Sequence, residues 1–478
     1  MHHPLSMHYH LIGIGGTAMA SLAGLLKQAG HRVTGSDEGV YPPMSTQLRE
    51  LEVPYREGYA PENLQPVPDR VVVGNAISRG NPELEHVLDL GLYYTSAAVV
   101  LKEEFLRGRH VVAVAGTHGK TSTASLLAHV LESAGLDPSF LVGGVVENFG
   151  TSFRLTGSEY FVIEADEYDT AYFDKGPKMW HYLPATAILN NVEFDHADIY
   201  RDSVAYRFAF ERFVNLIPRT GTLVAGWDSE LARELAEKSF APVESFGFRA
   251  EGWPAGEHPR WRVADARFGV ETTRFTVFHD GALWGEVETP LAGSFSVRNS
   301  LAVIAAAEAV GANRRGVAEG FRTFRSVRRR MEVRGEARGV TVIDDFAHHP
   351  TAVRETLEAA RQRYGERPIV AVFEPRSYTA QLKEFQPGYQ EALGRADRVI
   401  LAGLFHPERY TGQTALDPEE MVARWRQSGN EAFYIPQPDD IVAHLRGALR
   451  GGEVVLVMSN GGFGGLHEKL LAALEEGH

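Results

Sequence analysis

The residues with the clearest chemical content are Gly116-Thr117-His118-Gly119-Lys120-Thr121, which follow the apolar run Val111-Val112-Ala113-Val114-Ala115 and precede a helical pattern from Thr121 to Ala128. Strand, glycine turn and helix form the arrangement in which backbone N–H groups curl around phosphate oxygens and a helix N-terminus adds partial positive charge. In such a loop Lys120 reaches the β- and γ-phosphates of a nucleotide, and the Thr121 hydroxyl coordinates Mg²⁺. The loop is shorter than the Gly-x4-Gly-Lys-Thr pattern, because Val114 stands where its first glycine belongs.

A phosphate loop needs carboxylates to share its cation. Glu164 and Asp166 have the same strand parity after Tyr160-Phe161-Val162-Ile163, at the carboxyl end of a strand, where ligands gather in open α/β sheets. His196 follows a second strand, Thr186–Leu189, and the turn Asn190-Asn191-Val192-Glu193-Phe194-Asp195. A lone histidine more often packs than ligates, so it is this position that recommends it. The plain reading of Arg328-Arg329-Arg330 is a solvated helix face; a buried member would instead neutralise phosphate charge. Asp344-Asp345-Phe346-Ala347-His348-His349-Pro350 crowds two acids and two histidines at a strand end, with Pro350 suited to a first helical turn. Such crowding costs stability unless paired, and so points to a site. Phe373-Glu374-Pro375-Arg376-Ser377 ends the following strand and is expected beside it.

These residues need strands and helices to hold them, and the chain supplies three α/β stretches in series. In residues 1–108, His8–Ile12 runs as a strand into the turn Gly13–Gly16, a helical pattern covers Thr17–Ala29, and Arg32–Asp37 is a second strand ending in an acid. This βαβ unit is similar to a dinucleotide fingerprint, with Asp37 roughly twenty residues beyond the glycines. Gly16 displaces the third glycine, so Ala18 or Ala20 must serve for close packing. Strands at Arg70–Val73 and Tyr93–Thr95 follow. Residues 109–325 hold the phosphate loop, an antiparallel hairpin (Glu271–Phe278 and Leu283–Glu288 around His279-Asp280-Gly281) and an Ala-rich helix over Val297–Val310. Residues 326–478 alternate again, with strands at Val340–Ile343, Ile369–Phe373, Val399–Ala402 and Val454–Met458. The expected fold class is therefore α/β, as three consecutive domains: Rossmann-like, P-loop with a hairpin region, and Rossmann-like.

Composition agrees with a multidomain globular chain. At 478 residues it is too long for one core. A net charge of −14 argues against nonspecific nucleic-acid binding, and no run is apolar and long enough to span a membrane. The absence of cysteine excludes thiolate chemistry and fits the cytoplasm, and the first residues lack the basic and apolar regions of a secretory signal.

Gly116–Thr121, Glu164-Ala165-Asp166-Glu167, Asp195-His196, Arg330 and Asp344–Pro350 together resemble the Mur ligases of peptidoglycan synthesis, in that family's order and across the whole chain. The resemblance implies ATP and Mg²⁺ as cofactors. It implies that Gly116, Thr117, His118, Gly119, Lys120 and Thr121 hold ATP, that Thr121, Glu164 and His196 hold metal, and that Asn299, Arg330 and Asp345 contact adenine, phosphate and ribose. Lys120, Glu164, His196, Arg330 and Asp345 are the implied catalytic set. The first domain would bind a UDP sugar through Gly13, Gly15, Gly16, Thr17, Ser36, Asp37 and Asn75. His348, His349, Arg376, Ser459 and Asn460 would lie near an incoming peptide.

Within the family, Glu374–Ser377 and Met458–Gly465 resemble the branch that joins the tripeptide L-alanyl-γ-D-glutamyl-meso-diaminopimelate to UDP-N-acetylmuramate, used in murein recycling. The nearest alternative is the branch that adds L-alanine to the same UDP sugar. That branch has Pro-His-Arg-Tyr-Thr-Arg where this chain has Pro375-Arg376-Ser377-Tyr378-Thr379-Ala380, so a carboxylate clamp is missing beside the reacting amine. The family's His-Asn-x-x-Asn run appears as Phe295-Ser296-Val297-Arg298-Asn299, keeping its last residue only. Several members carry a carbamylated lysine, yet no lysine lies between Lys178 and Lys238. A folylpolyglutamate-type ligase is more remote. A nicotinamide dehydrogenase would leave the phosphate loop unused, and a P-loop switch would leave the first domain unexplained.

Overall fold

The computed structural model describes residues 6–41, 44–194, 199–249, 252–253, 256–405 and 414–476. Asp195 and His196 therefore lie outside the described residues. The chain divides into two compact units, one formed by residues up to Glu193 with Val204–Phe246 and Ala302–Gly320, the other chiefly by Gly247–Leu301 and the chain from Phe321 onward.

The first unit opens with β1 (His8–Ile12), α1 (Thr17–Gln28), β2 (Arg32–Asp37), α2 (Met44–Glu50), β3 (Tyr55–Glu57), β4 (Arg70–Val73), α3 (Pro82–Asp89) and β5 (Tyr94–Ser96). These strands form a parallel sheet in the order β3-β2-β1-β4-β5. Gly13 leaves β1 at φ +84, a conformation that glycine adopts without a Cβ penalty. Helix α1 is buried from Met19 through Leu26, so apolar and small residues run almost all round it. Gly24 sits mid-helix because the Phe153 ring occupies the space a side chain would need; a Cβ there would come 2.1 Å from it.

The same unit continues with α4 (Ala97–Val100), β6 (His110–Ala115), α5 (Lys120–Ser133), β7 (Ser139–Val146), β8 (Thr151–Arg154), β9 (Tyr160–Glu164), the small hairpin β10 (Asp169–Ala171) and β11 (Asp174–Pro177), β12 (Thr186–Leu189), α6 (Ser203–Val214), β13 (Thr222–Gly226), α7 (Glu230–Ala236) and β14 (Val243–Gly247). Strand order is β14-β13-β12-β6-β9-β7-β8, parallel except for β8. Fully buried on both faces, β6 reads as the continuous apolar run expected of a central parallel strand. Its register, Val114 beside Glu164 and Ala115 beside Leu189, brings the loop after β6 between the ends of β9 and β12.

In the second unit β15 (Trp261–Phe268), β16 (Thr273–His279) and β17 (Ala282–Thr289) form an antiparallel meander. The hairpin was legible in sequence. Strand β15 was not, because it follows a stretch rich in Gly, Pro and His and carries polar residues on both faces. Helix α8 (Ser294–Ala309) begins three residues before the expected start, and α9 (Arg314–Thr323) follows. Arg328–Arg330 then form a turn, not the face of a helix: Arg329 sits at φ +62, which ends any helical path.

The C-terminal sheet comprises β18 (Glu332–Ala337), β19 (Val340–Asp345), β20 (Ile369–Phe373), β21 (Arg398–Leu401), β22 (Glu431–Tyr434) and β23 (Val454–Met458), in the order β18-β19-β23-β20-β21-β22. Only β18 is antiparallel. Helices α10 (Pro350–Tyr364), α11 (Gln386–Leu393) and α12 (Pro418–Gln427) cover one face around Phe373, Tyr389 and Trp425. The opposite face carries α13 (Pro438–Ala448) and α14 (Leu466–Glu475) around Val370, Ile441 and Leu470.

Candidate active site

The loop after β6 is set by two glycines and an asparagine. Gly116 stands at φ +136, and a Cβ on it would lie 2.9 Å from the Asn191 carbonyl; Gly119 caps α5 at φ +79. Thr117 N donates to Asn191 O at 2.9 Å, and His118 N to Asn191 Oδ1 at 2.8 Å. Those two loop amides are thus engaged by the end of β12. The N–H groups that open α5, at Lys120, Thr121 and Ser122, have no intrahelical partner by helix geometry and form the anion-facing set.

Lys120 is buried, and its Nζ donates to Glu167 Oε2 at 2.5 Å and to Thr117 O at 3.5 Å. Burial alone would push its ammonium down; the carboxylates of Glu167 and Asp166 outweigh that and hold it above its ordinary value. Glu167 is fully buried, and its Oε1 takes the Tyr206 hydroxyl at 3.4 Å. That hydroxyl also lies 2.9 Å from Thr117 Oγ1, which accepts from Glu193 N at 2.9 Å. One buried polar network therefore runs from the loop through the lysine to α6.

The Thr121 hydroxyl donates to Glu164 Oε1 at 3.0 Å, and Gly143 N donates to Glu164 Oε2 at 2.7 Å. Burial pushes the Glu164 carboxyl up, against the pull of Lys120. Asp166 pairs with Lys178 at 3.4 Å. Strand β9 ends at Glu164, so Asp166 leaves the backbone beyond the regular alternation, yet its charge still acts on both Glu164 and Lys120. A hydroxyl and a carboxylate are hard oxygen donors of the kind Mg²⁺ selects, so Thr121 and Glu164 fit that ion. Glu167, Tyr206, Asn191 and Glu193 were not singled out from sequence. Glu167 lay within the quoted Glu-Ala-Asp-Glu run, but nothing local marks Tyr206, 86 positions beyond Lys120 in a helix.

In the first sheet the turn Gly13–Gly16 is held from below. Ser36 O accepts from Gly13 N at 2.8 Å and Ile14 N at 3.1 Å, and Asp37 Oδ2 accepts from Gly15 N at 2.8 Å. Gly16 and Thr17 are exposed at the start of α1. The Ser36 side chain is fully buried, and its hydroxyl donates to Glu83, so it is the carbonyl of Ser36 that reaches the turn. Asn75 is exposed, and its amide donates to Asp169 in the β10–β11 hairpin at 3.1 Å to O and 3.2 Å to Oδ1.

In the second unit Asp345 is buried at the end of β19. Its Oδ2 accepts from Met331 N and its Oδ1 from Ala347 N, each at 2.8 Å, with Thr356 Oγ1 at 3.3 Å. Burial pushes its carboxyl up, against the charge of Arg330. Arg330 lies with its guanidinium carbon 5.0 Å from the Phe346 ring centre. Its neighbour Arg329, not singled out from sequence, does the tying: it donates to Asp344 Oδ2 at 3.2 Å, Ser459 O at 2.6 Å and Gly461 O at 2.7 Å. With His467 it holds the Asp344 carboxyl below its ordinary value despite burial.

His349 is the N-cap of α10, accepting from Thr351 N at 3.3 Å; Pro350 at the first helical position was the local signal for that role. His348 is half-buried, with Nδ1 3.0 Å from Phe346 O. Arg376 stacks on Phe405, 3.9 Å from the ring centre, and lies 3.6 Å from Glu374. Ser459 donates to Glu374, and Asn460 Oδ1 is buried with no hydrogen-bond partner among the described residues. Asn299 is buried in α8, while its neighbour Arg298 pairs with Glu355.

Comparison with known proteins covers all three stretches. Residues 8–108 match the Mur ligase family, catalytic domain; residues 114–307 match the Mur ligase middle domain; residues 329–461 match the Mur ligase glutamate ligase domain. The chain is 43% identical over 469 residues to the UDP-N-acetylmuramate–L-alanyl-γ-D-glutamyl-meso-2,6-diaminoheptandioate ligase of Escherichia coli, covering 98% of each chain. It is 30% identical to the UDP-N-acetylmuramate–L-alanine ligase of Geotalea uraniireducens, again over 98% of each. The crystal structure of a murein peptide ligase from Psychrobacter arcticus matches with a TM-score of 0.72 and 36% identity, over 98% of this chain and 99% of that one. A loop lysine held by a buried glutamate, a Thr–Glu oxygen pair beside it, and full-length likeness in all three segments lead to one conclusion: the chain belongs to the Mur ligase family.

Proposed function

We propose that this enzyme is an ATP-dependent, ADP-forming ligase that joins L-alanyl-γ-D-glutamyl-meso-diaminopimelate to UDP-N-acetylmuramate, in the cytoplasm, as part of peptidoglycan recycling. The observation that carries the reading is the Lys120–Glu167 pair set beside Thr121 and Glu164, a cluster suited to a nucleotide triphosphate with its cation. The name and full-length similarity of the Escherichia coli relative support the substrates. A carboxylate is a poor acylating agent, so the lactyl carboxylate attacks the γ-phosphorus, ADP leaves, and an acyl phosphate forms. The tripeptide's α-amine, as free base, then attacks the acyl carbon, and inorganic phosphate leaves with the bonding pair.

Thr121 and Glu164 would hold Mg²⁺, which would supply charge neutralisation at the phosphates. Lys120 spreads the charge that develops on the transferring group, and the start of α5 orients it. The turn Gly13–Gly16, with Asp37, receives the UDP sugar, and the C-terminal domain receives the peptide through Arg376, Asn460 and the segment around His348. Ala380 supports a peptide over free alanine: it is fully buried in the C-terminal core, so no charged side chain is available there to clamp an amino-acid carboxylate.

ATP-dependent phosphate release tests the reading. Release is expected with UDP-N-acetylmuramate plus tripeptide and not with UDP-N-acetylmuramate plus L-alanine. Robust release with alanine and none with tripeptide would make the enzyme an alanine-adding ligase. Lys120→Ala should abolish turnover while UDP-sugar binding persists; unchanged turnover would refute the role of the loop.

A further inference from the structure

The first sheet buries a carboxylate that no step above uses. Glu83, the second residue of α3, is fully buried, as is His10 in the middle of β1. Glu83 Oε1 lies 2.6 Å from His10 Nε2 and accepts the Ser36 hydroxyl at 2.9 Å. Its Oε2 receives Asn63 Nδ2 at 2.8 Å and Ala60 N at 3.3 Å. The Ser36 hydroxyl, the Asn63 amide and the Ala60 N–H all donate to this one side chain with His10 Nε2 beside it, a set that a carboxyl group satisfies at both oxygens and a glutamine amide does not. Burying a charge costs far more than burying an apolar side chain of that size, unless it is paired and hydrogen-bonded. Core filling alone does not call for it.

What the carboxylate joins explains its place. The four partners come from β1, from the end of β2, and from the segment after β3. Ser36 is the pivot: its side chain is fixed by Glu83, while its carbonyl accepts the N–H groups of Gly13 and Ile14. The next residue, Asp37, accepts from Gly15 N. The shape of the glycine turn is thus set by the end of β2, and that strand end is set by Glu83. His10 is itself held, with Nδ1 2.8 Å from Thr34 Oγ1 on β2.

We infer that Glu83, with His10 as its main partner, is a positioning residue for the UDP-sugar turn: it fixes Ser36, and through Ser36 it presets the Gly13–Gly16 amides for the ligand's diphosphate. This rests on the proposed UDP-sugar role of the first domain. Glu83 touches no ligand; it acts through the backbone. Glu83→Gln would place an amide donor against one of the two donor pairs, releasing the Ser36 end or the Asn63 end.

The test is steady-state kinetics on the full chain, with KM measured separately for UDP-N-acetylmuramate and ATP. Glu83→Gln should raise the UDP-sugar KM roughly tenfold, the loss of a hydrogen bond to a charged group, with ATP KM and kcat within about twofold. His10→Phe should shift the same constant in the same direction. His10→Gln, whose amide N–H can still reach Glu83, should restore it. The histidine pair decides the matter if Glu83→Gln does not fold. An unchanged UDP-sugar KM would overturn the inference, as would a parallel rise in both KM values, which marks general loosening. Failure of the unmodified enzyme to bind the UDP sugar would instead overturn the assignment of the first domain.

Discussion

Replacing Glu167 with glutamine is the most direct probe of the loop lysine. The substitution keeps shape and one acceptor oxygen but removes the charge that lies 2.5 Å from Lys120 Nζ. Two effects follow from the geometry. Lys120 loses the strongest of the carboxylates that hold its ammonium above its ordinary value, while Asp166 and Glu164 still attract it. A hydrogen bond between charged groups contributes about 1.5–3 kcal/mol, so losing ~2 kcal/mol of lysine positioning should lower kcat about 30-fold. Stability should fall by less than the 3–5 kcal/mol typical of a broken buried pair, because the two remaining carboxylates stay in place. Phosphate release with both substrates gives kcat, and thermal denaturation separates catalysis from folding. A well-folded Glu167→Gln enzyme with kcat within threefold of the unmodified enzyme would show that the pair merely satisfies a buried charge.

Three further outcomes follow from the same coordinates. Tyr206→Phe removes the hydroxyl shared by Thr117 and Glu167 and should cost about 1 kcal/mol, read as a roughly fivefold drop in kcat/KM for ATP; no change would take Tyr206 out of the network. Gly116→Ala meets both a positive φ and the Asn191 carbonyl, so ATP binding measured by calorimetry should be lost or weakened at least about fivefold, matching a strain of roughly 1–3 kcal/mol; undiminished binding would mean the loop adapts. Burial holds the His31, His110 and His129 imidazoles below the ordinary histidine value. Between that lowered value and 6.5 the unfolded chain binds more protons than the folded one, so stability rises with pH through this window and is lost on acidification. The denaturation midpoint should therefore fall from pH 7 to pH 5.5, and fall less in His110→Gln; an equal or steeper fall in the variant would contradict the sign.

Much of the fold is local and was therefore legible. Val111–Ala115 is apolar because β6 is buried on both faces, and Pro350 and Gly119 mark helix starts by their own backbone preferences. The short strands Arg32–Asp37, Arg70–Val73, Thr186–Leu189, Ile369–Phe373 and Val454–Met458 fall where the sequence pattern places them. Strands β3, β7, β8, β13, β14, β15, β18 and β22 were not read from the sequence; β15, for one, carries polar residues on both faces and so lacks the alternation that would set it apart from a loop.

At the candidate site the division is sharper. Sequence alone determined that a glycine loop, Lys120 and Thr121 follow a central strand, and that acids follow the next one, because these are contiguous runs with fixed chemistry. Only the tertiary structure decided which acid does what. Register sets Glu164 against Thr121, while Glu167, past the strand's end, turns inward to the lysine. It also decided that the Ser36 hydroxyl is buried against Glu83, and that Arg329, one residue from the arginine singled out, binds the turn after β23. Alternation and motif order specify where a side chain leaves the backbone. Which partner it meets depends on strands and helices tens of residues away, and burial of charge permits only pairings that satisfy every donor and acceptor.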